Sequence, residues 1–274
     1  MDRERLERVA EIGDFIALRN PTAAADLVPA AVGRAAKPDR IRGMKIVVLP
    51  AQAAYDRWAA TYDVKRNPLV AMDRKVLDKR LDAVGRDLNG ARALDLGCGT
   101  GRNSYLLQNA GAKVTAVDFS KGMLDVGISK AGAAEIRFVT HDLNEPLPFA
   151  DAAFDVVVCT LVLEHIEQLS PLFREMRRVC SPGGWLYLSD LHPMMRLRGE
   201  QAQFSDRVRD EEVRPRGYAH MVSDYVTGIL EAGLSIREMD EHIGTEALVE
   251  RFPKTEEHIG WPMLLTFVLD PTQL

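Results

Sequence analysis

A glycine-rich turn between an apolar run and a helical pattern constrains this chain more than any other feature. The turn reads Gly97-Cys98-Gly99-Thr100-Gly101 and follows the largely apolar stretch 91–96. Glycines let a backbone bend tightly and approach a ligand closely. A dinucleotide-binding fold favours G-x-G-x-x-G, which would place a glycine where Arg102 stands. The observed spacing, with Asp95 two residues upstream, indicates instead a ligand that carries an ammonium group.

Strand and helix patterns alternate along the middle of the chain. Apolar strands are predicted at 91–97, 113–118, 135–140, 153–160 and 185–190, and helices at 101–110, 121–130 and 169–179. Such alternation requires a parallel sheet with helices on both faces. Beyond it we predict a helix at 223–232 and strands at 234–239 and 264–269. Residues 191–222 have no clean periodicity, so no strand is predicted there.

Residues 93–190 resemble the class I S-adenosylmethionine-dependent methyltransferases. The resemblance rests on the glycine turn, on Asp118 at the end of the next strand, and on the phrases 139–143, 154–159 and 178–185. The sequence around Tyr55-Asp56-Arg57-Trp58 is similar to the ubiquinone and menaquinone methyltransferase-like small-molecule subset. The family fold is α/β and Rossmann-like: a seven-stranded, mostly parallel sheet with an antiparallel last strand, here near 264–269. The implied cofactor is S-adenosyl-L-methionine.

The resemblance also implies roles for individual residues. Asp118 would hold the ribose hydroxyls, and Asp142 would accept a hydrogen bond from the adenine amino group. Tyr55 and Tyr62 lie two helical turns apart and would close over the sulfonium, unless they form an ordinary buried aromatic stripe. The complete set of predicted cofactor contacts is Tyr55, Tyr62, Asp95, Gly97, Cys98, Gly99, Asn103, Asp118, Phe119, Met123, Asp142, Leu143, Thr160 and Leu161.

Three histidines are candidates for acid–base work. The cofactor's methyl group is already activated, so a base is needed only when the acceptor must lose a proton. His165 and His192 follow the fourth and fifth core strands at the edge where parallel sheets bind ligands, and His220 ends the irregular segment. Alternatively, His165 is a packed loop residue without a catalytic role. Glu256-Glu257-His258 is expected to be solvated surface.

The chain divides into three predicted segments. Residues 1–43 form a helical N-terminal arm, 44–90 a helical segment leading to the core, and 91–274 the methyltransferase domain with a substrate lid at about 191–222. The arm carries an apolar stripe that predicts packing on another subunit, and so a homo-oligomer. The alternatives are a mobile tail, or a true start at Met44.

Composition limits the function further. A net charge of -5 argues against nucleic acid as a partner, and no apolar stretch reaches the roughly 20 residues that span a bilayer. The three cysteines have no metal-ligand spacing, so we expect no metal site. We also expect no structural disulfide, and therefore a reducing, cytoplasmic location. The favoured function is methylation of a small, hydrophobic metabolite at carbon or oxygen. The alternatives are a SAM-binding protein that catalyses a cyclisation or rearrangement without methylation, and a protein or RNA methyltransferase.

Overall fold

The computed structural model describes residues 44–64, 66–83, 88–130 and 132–271, so the predicted arm at 1–43 lies outside the described residues. The strands are β1 (Lys45–Leu49), β2 (Arg92–Leu96), β3 (Lys113–Asp118), β4 (Arg137–Thr140), β5 (Phe154–Thr160), β6 (Cys180–Leu191), β7 (Phe204–Asp206), β8 (Glu211–Pro215), β9 (Ser235–Ile243) and β10 (Pro262–Asp270). The helices are α1 (Ala51–Tyr62), α2 (Pro68–Ala83), α3 (Arg102–Asn109), α4 (Lys121–Ile128), α5 (Leu169–Val179), α6 (Pro193–Leu197), α7 (Val222–Glu231) and α8 (Glu246–Arg251).

Seven of these strands form the predicted main sheet. Their order is β4-β3-β2-β5-β6-β10-β9, and β10 runs antiparallel to both of its neighbours. Alternate residues of the central strands point to opposite faces: Val157 packs with α5 and α7, whereas Val156 and Val158 pack with α2 and α3. The apolar valine run of β5 is thereby buried on both sides, as the alternating pattern predicted.

A second sheet of three strands was not predicted. Its order is β1-β8-β7, with β1 parallel to β8 and β7 antiparallel to β8. The expectation that residues 191–222 contain no strand is therefore wrong, and the segment 44–90 begins with a strand. Neither β1 nor β8 was predicted, because β8 has the mostly charged sequence Glu-Glu-Val-Arg-Pro and its partner β1 is remote in the chain. Buried Val213 and Phe204 of this sheet pack on α1 through Ala54 and Trp58.

His258 is also placed differently from the expectation. Its side chain is enclosed, with the residue only 8% exposed, although the neighbouring Glu256 and Glu257 are exposed as expected. A bridge between Gly244 and Ile259 folds this turn against the β9–β10 hairpin, which explains the burial. Within the described ranges, no helix is both long and apolar enough to cross a membrane.

Candidate active site

A cavity of about 540 Å³ opens at the carboxyl edge of strands β2, β3 and β5. It brings together thirteen of the residues singled out from sequence: Tyr55, Tyr62, Asp95, Gly97, Cys98, Gly99, Asn103, Asp118, Phe119, Met123, Thr160, Leu161 and His165. A more open hollow of about 510 Å³ lies at the opposite edge, beside Arg92, Lys113 and Arg137. Open parallel sheets bind ligands at the carboxyl edge, so the first cavity is the candidate active site.

The glycine turn after β2 forms the floor of this cavity. Gly97 has a φ of +67°, and a Cβ there would lie 2.7 Å from Cγ2 of Val162, so no larger residue fits. Gly99 also has a positive φ, +55°, but a Cβ there would meet nothing within 4 Å. The first glycine is therefore required by packing, whereas the second keeps open the space through which a ligand approaches the backbone.

Asp118 ties the glycine turn to the start of α4. Its Oδ2 accepts a hydrogen bond from the Gly99 N–H at 2.8 Å, and its Oδ1 accepts one from the Ser120 N–H at 2.8 Å. Ser120 in turn caps α4, because its Oγ accepts the Met123 N–H at 3.1 Å. Burial raises the pKa of Asp118 to about 6, against the lowering effect of these backbone donors. The carboxylate keeps free lone pairs for a ligand's hydroxyl groups.

Asp95 is a second carboxyl group on the cavity wall. The residue is 1% exposed, and its Oδ2 accepts a hydrogen bond from Ser104 Oγ at 2.6 Å. Burial raises its pKa to about 6, partly offset by the Ser104 hydrogen bond and the charge of Arg102. Two carboxyl groups in a poorly solvated cavity favour a ligand that carries positive charge.

Aromatic side chains of α1 form the opposite wall. The Tyr55 ring lies 5.8 Å from Trp58 and 6.4 Å from Phe119, and Trp58 lies 5.0 Å from Tyr62. Trp58 also stacks on Phe204 of β7, at 4.8 Å between ring centroids. The wall thus continues without interruption from α1 into the segment 191–222.

The carboxylate of Asp56 ties helix α1 to the start of α4. Asp56 Oδ1 accepts hydrogen bonds from Ser120 Oγ at 2.7 Å and from the Gly122 N–H at 2.9 Å. A Cβ on Gly122 would lie 3.1 Å from the Asp56 carbonyl oxygen, so α1 and α4 pack closely here. The Tyr55 and Tyr62 side chains, two turns apart as predicted, consequently line the same cavity.

Both ring nitrogens of His165 are engaged. Its Nδ1 lies 2.9 Å from the carbonyl oxygen of Arg216, which can only accept, so Nδ1 carries a proton. Its Nε2 lies 2.9 Å from Tyr55 Oη and, in the neutral ring, accepts a hydrogen bond from that hydroxyl. Burial raises the pKa of Tyr55 well above its ordinary value, so the phenol is neutral and donates. Tyr218 N–H donates to the Glu164 carbonyl at 2.7 Å, which holds the segment 191–222 beside the turn that carries His165.

The structure does not bring His192 and His220 into the cavity lining. His192 caps α6, with Nδ1 accepting the Met194 N–H at 3.1 Å, and its Nε2 donates to Glu241 at 2.8 Å. His220 donates from Nε2 to the Ile166 carbonyl at 2.8 Å, and burial lowers its pKa. Each ring makes contacts that hold protein segments together.

Asp142 and Leu143 lie next to the cavity but are not part of its lining. The adjoining His141 N–H donates to the Asp118 carbonyl at 3.0 Å, which places this loop beside the end of β3. Asp142 is exposed, and its Oδ1 accepts the Asn144 N–H at 2.9 Å. Their contact with adenine therefore stays a prediction.

Several lining residues escaped the sequence reasoning. They come from α1 and the residue after it, from α2 and the turn before it, from the start of α3, from the segment 191–222, and from the end of α8 and the residue after it: Trp58, Asp63, Arg66, Asn67, Arg74, Arg102, Gln203, Arg251 and Phe252. Of the four arginines in this set, only Arg66 lies in the predicted turn Arg66-Asn67-Pro68, and the others are at positions 74, 102 and 251. Gln203 and Phe252 carry no local signal, because only the tertiary fold brings them to this edge.

The fold and the cavity together define a class. A main sheet of this order with antiparallel β10, a glycine turn after β2 and a carboxylate after β3 are the features of a class I S-adenosylmethionine-dependent methyltransferase. The pattern of the methyltransferase domain family matches residues 94–188.

Known proteins agree with that class. An uncharacterized methyltransferase of Emericella nidulans is 32% identical over 242 residues, which cover 76% of this chain and 83% of that protein. A demethylmenaquinone methyltransferase of Renibacterium salmoninarum is 40% identical over 144 residues, 52% of this chain and 59% of that protein. The solved S-adenosylmethionine-dependent methyltransferase of Mesorhizobium loti has a TM-score of 0.57 at 23% identity, covering 67% of this chain and 92% of that one. The chain belongs to this methyltransferase family.

The residues present fit S-adenosyl-L-methionine, which is the cofactor of this class. The open space in front of Gly99 admits a ligand against the backbone, and two buried carboxyl groups match its positive charge and its ribose hydroxyls. The cavity volume falls within the roughly 300–1,000 Å³ of small-molecule sites. The aromatic face of Tyr55 or Tyr62 would attract the sulfonium by about 0.5–2 kcal/mol.

Proposed function

We propose that this methyltransferase acts on a carbon or oxygen of a small, hydrophobic acceptor. The observation that carries the proposal is that the cavity extends past the predicted cofactor contacts to Trp58, Gln203 and Phe252. Two of these three residues are aromatic, and Trp58 packs on Tyr55, whose hydroxyl hydrogen-bonds to His165. The relatives named demethylmenaquinone methyltransferases, by that name, act on a quinone, which supports a hydrophobic acceptor.

We further propose that residues 191–222 are the substrate lid. Gln203 of this segment lines the cavity, and the Arg216 and Tyr218 backbone groups hydrogen-bond to the turn that carries His165. Enclosure beneath the lid excludes water from the acceptor. Alignment of the acceptor with the methyl group supplies roughly 7–11 kcal/mol of the barrier reduction.

Proton removal from the acceptor runs through Tyr55. The bound cofactor supplies an activated methyl group. The acceptor's proton passes to Tyr55 Oη, while the Tyr55 hydroxyl proton moves to Nε2 of His165, which becomes imidazolium. This relay would leave the acceptor with the free electron pair that attack on the cofactor's activated methyl group requires. Arg216 stabilises the imidazolium because its carbonyl accepts the Nδ1–H.

Labelled methyl transfer tests the proposed function. The purified protein is incubated with methyl-labelled S-adenosylmethionine and, separately, with a short-chain demethylmenaquinone, simple naphthols, total RNA and a protein extract. Label in a small, solvent-extractable product supports the proposal. Label only in RNA or protein contradicts it. Acceptor that is consumed without gaining label, and only when cofactor is present, identifies a cyclisation or rearrangement instead.

A further inference from the structure

Opposite charges flank the glycine turn on the cavity wall. Asp95 lies near the end of β2, and Arg102 is the first residue of α3; both line the cavity. Arg102 is close enough to Asp95 and to Tyr62 for its charge to offset part of the rise that burial causes in the pKa of each. A cavity wall with a carboxylate and a guanidinium side by side matches a zwitterion.

A buried carboxylate fixes the position of Arg102. Its Nη2 donates to Oδ2 of Asp73 at 2.8 Å, and Asp73, on α2, is 0% exposed. Ser189 Oγ, on β6, donates to the other oxygen of Asp73 at 2.6 Å. Buried ion pairs contribute little net stability, because the charges lose their hydration. The arrangement is therefore better explained as orientation of the guanidinium than as support for the fold.

Arg102 retains unused hydrogen-bonding capacity. About a quarter of its side chain, 26%, stays exposed, so the guanidinium is only partly covered by Asp73. Its Nη1 has no hydrogen-bond partner within the described part of the chain, although it is enclosed. An enclosed donor without a partner is destabilising. A carboxylate bound against this guanidinium would satisfy it with a small rotation about the Asp73 contact.

The other arginines at this end of the cavity are held less firmly. Arg74 is 40% exposed at its side chain and already pairs with Asp78 at 3.1 Å, one helical turn away. Arg66 is exposed and lies in the turn before α2, with no ion pair among the described residues. A solvated arginine loses side-chain entropy when it orders around a ligand, whereas Arg102 is already ordered.

We propose that Arg102, positioned by Asp73, binds the carboxylate of the cofactor's amino-acid end and selects ligands that carry it. The ribose end is assigned to Asp118, so the amino-acid end extends toward Asp95 and Arg102, where the ammonium meets Asp95 and the carboxylate meets Arg102. The inference concerns the cofactor alone, and it goes beyond the proposed function because it holds for any acceptor.

Calorimetric titration with two ligands tests this assignment. The probes are S-adenosylmethionine and decarboxylated S-adenosylmethionine, which keeps the sulfonium and the ammonium but lacks the carboxylate. We expect the wild-type protein to bind the first about 10- to 100-fold more tightly, which is the range of one or two charge-assisted hydrogen bonds. Arg102→Met should remove this preference while binding decarboxylated S-adenosylmethionine within about threefold of wild type. Asp73→Asn, which leaves Arg102 in place without its anchor, should reduce the preference in part.

Matched variants decide the outcome. The matched control is Arg80→Met, on the same helix as Asp73 but outside the cavity lining, and it should keep the wild-type preference. Arg74→Met and Arg66→Met test the competing arginines of the lining. The proposal is overturned if Arg102→Met keeps the preference, if it weakens both ligands equally, or if Arg74→Met or Arg66→Met removes the preference instead. If Arg102→Met fails to fold by circular dichroism, Arg102→Lys replaces it: a partial preference then supports the assignment, and an unchanged one overturns it. A protein that methylates none of the tested acceptors still yields the same ligand ratio, so the two proposals fail separately.

Discussion

The phenolic oxygen of Tyr55 lies 2.9 Å from Nε2 of His165, across 110 residues of chain. Because Nδ1 of the same ring is held by the Arg216 carbonyl, the imidazole has no free nitrogen for an acceptor. Proton transfer to His165 must therefore pass through the Tyr55 hydroxyl or displace it. In the proposed mechanism, helix α1 would therefore take part in the chemistry as well as cover the cofactor.

Removing the Tyr55 hydroxyl should lower turnover without loosening the cofactor. Tyr55→Phe keeps the ring in the aromatic wall but breaks the relay, so kcat should fall by about 100-fold or more with an acceptor that must lose a proton. The kcat of His165→Asn should fall to a similar level. The kcat of the double variant should be no lower than that of the slower single variant, because the two groups act as one unit. Cofactor affinity, measured by calorimetry, should stay near wild type in all three. Full turnover in Tyr55→Phe together with loss in His165→Asn would show that the acceptor reaches the imidazole directly.

Two glycines of the same turn should respond differently to alanine. Gly99→Ala adds a methyl group to open space. Without cofactor, its free energy of unfolding should therefore fall only by the roughly 1–2 kcal/mol that an alanine in the left-handed conformation costs, and its melting temperature should fall little. Its cofactor affinity should drop steeply, because the methyl group occupies the ligand's approach. Gly97→Ala should also destabilise the fold itself, since its Cβ would meet Val162. Equal melting temperatures for the two variants would contradict this division of roles.

Asp118 is expected to contribute through charge-assisted hydrogen bonds to the ribose. Asp118→Ala should weaken cofactor binding by roughly 1.5–3 kcal/mol in calorimetric titration. Part of that loss will come from the Gly99 N–H, which the variant leaves without its acceptor. Asp118→Asn keeps one oxygen acceptor and should lose less. Unchanged affinity in Asp118→Ala would remove this residue from the site.

The raised pKa values of Asp95 and Asp118, each about 6, predict a pH dependence of both stability and binding. In the unfolded chain these groups titrate near 3.9, so the folded state favours their neutral forms. The resulting stabilisation of the cofactor-free protein is complete below about pH 4 and is lost as pH rises through about 6. Asp118→Asn cannot titrate and so avoids the part of this loss that comes from Asp118. As pH rises from 4 to 7, its free energy of unfolding should therefore increase relative to that of the wild type by up to about 3 kcal/mol.

Cofactor binding should show the opposite trend with pH. A positively charged ligand favours the ionised carboxylates, so affinity should fall as pH drops below about 6. Calorimetry near pH 6 in buffers of different ionisation enthalpy should then detect proton release on binding. A binding constant that is flat from pH 5 to 8 would mean that neither carboxyl faces the ligand's charge.

The N-terminal arm carries a prediction that rests on sequence alone. Its apolar residues Leu6, Val9, Ile12 and Ile16 recur at helical spacing, and we expect them to pack on a second subunit. A shortened protein beginning at Met44 should have a smaller mass by light scattering. Ile12→Asp in the full chain, which disturbs only the stripe, should do the same. If both proteins match the full chain in mass and stability, the arm is not an interface.

Local spacing accounts for what the sequence predicted well. Gly97, Gly99 and Asp118 belong to one βαβ unit, so their meeting follows from the period of strand and helix. The pairing of Tyr55 with His165 and the sheet between β1 and β8 join distant segments, and no local pattern encodes such contacts. The sequence of β8 is mostly charged and shows no clear alternation of apolar and polar residues, since only Val213 and Pro215 on that strand are buried. His192 and His220 sit near the predicted edge, but their ring nitrogens are used in contacts within the protein.

The pairing between β1 and β8 runs residue for residue from Lys45 with Glu211 to Leu49 with Pro215, and the Arg216 N–H continues it to the Leu49 carbonyl. The proposed lid therefore shares a sheet with the strand that precedes α1. If this lid determines acceptor specificity, exchanging it alone should not transfer that specificity. A chimera that carries a relative's residues corresponding to 191–222 must carry its counterpart of 45–62 as well, since a mismatched pair would misalign Arg216 and leave His165 without its partner.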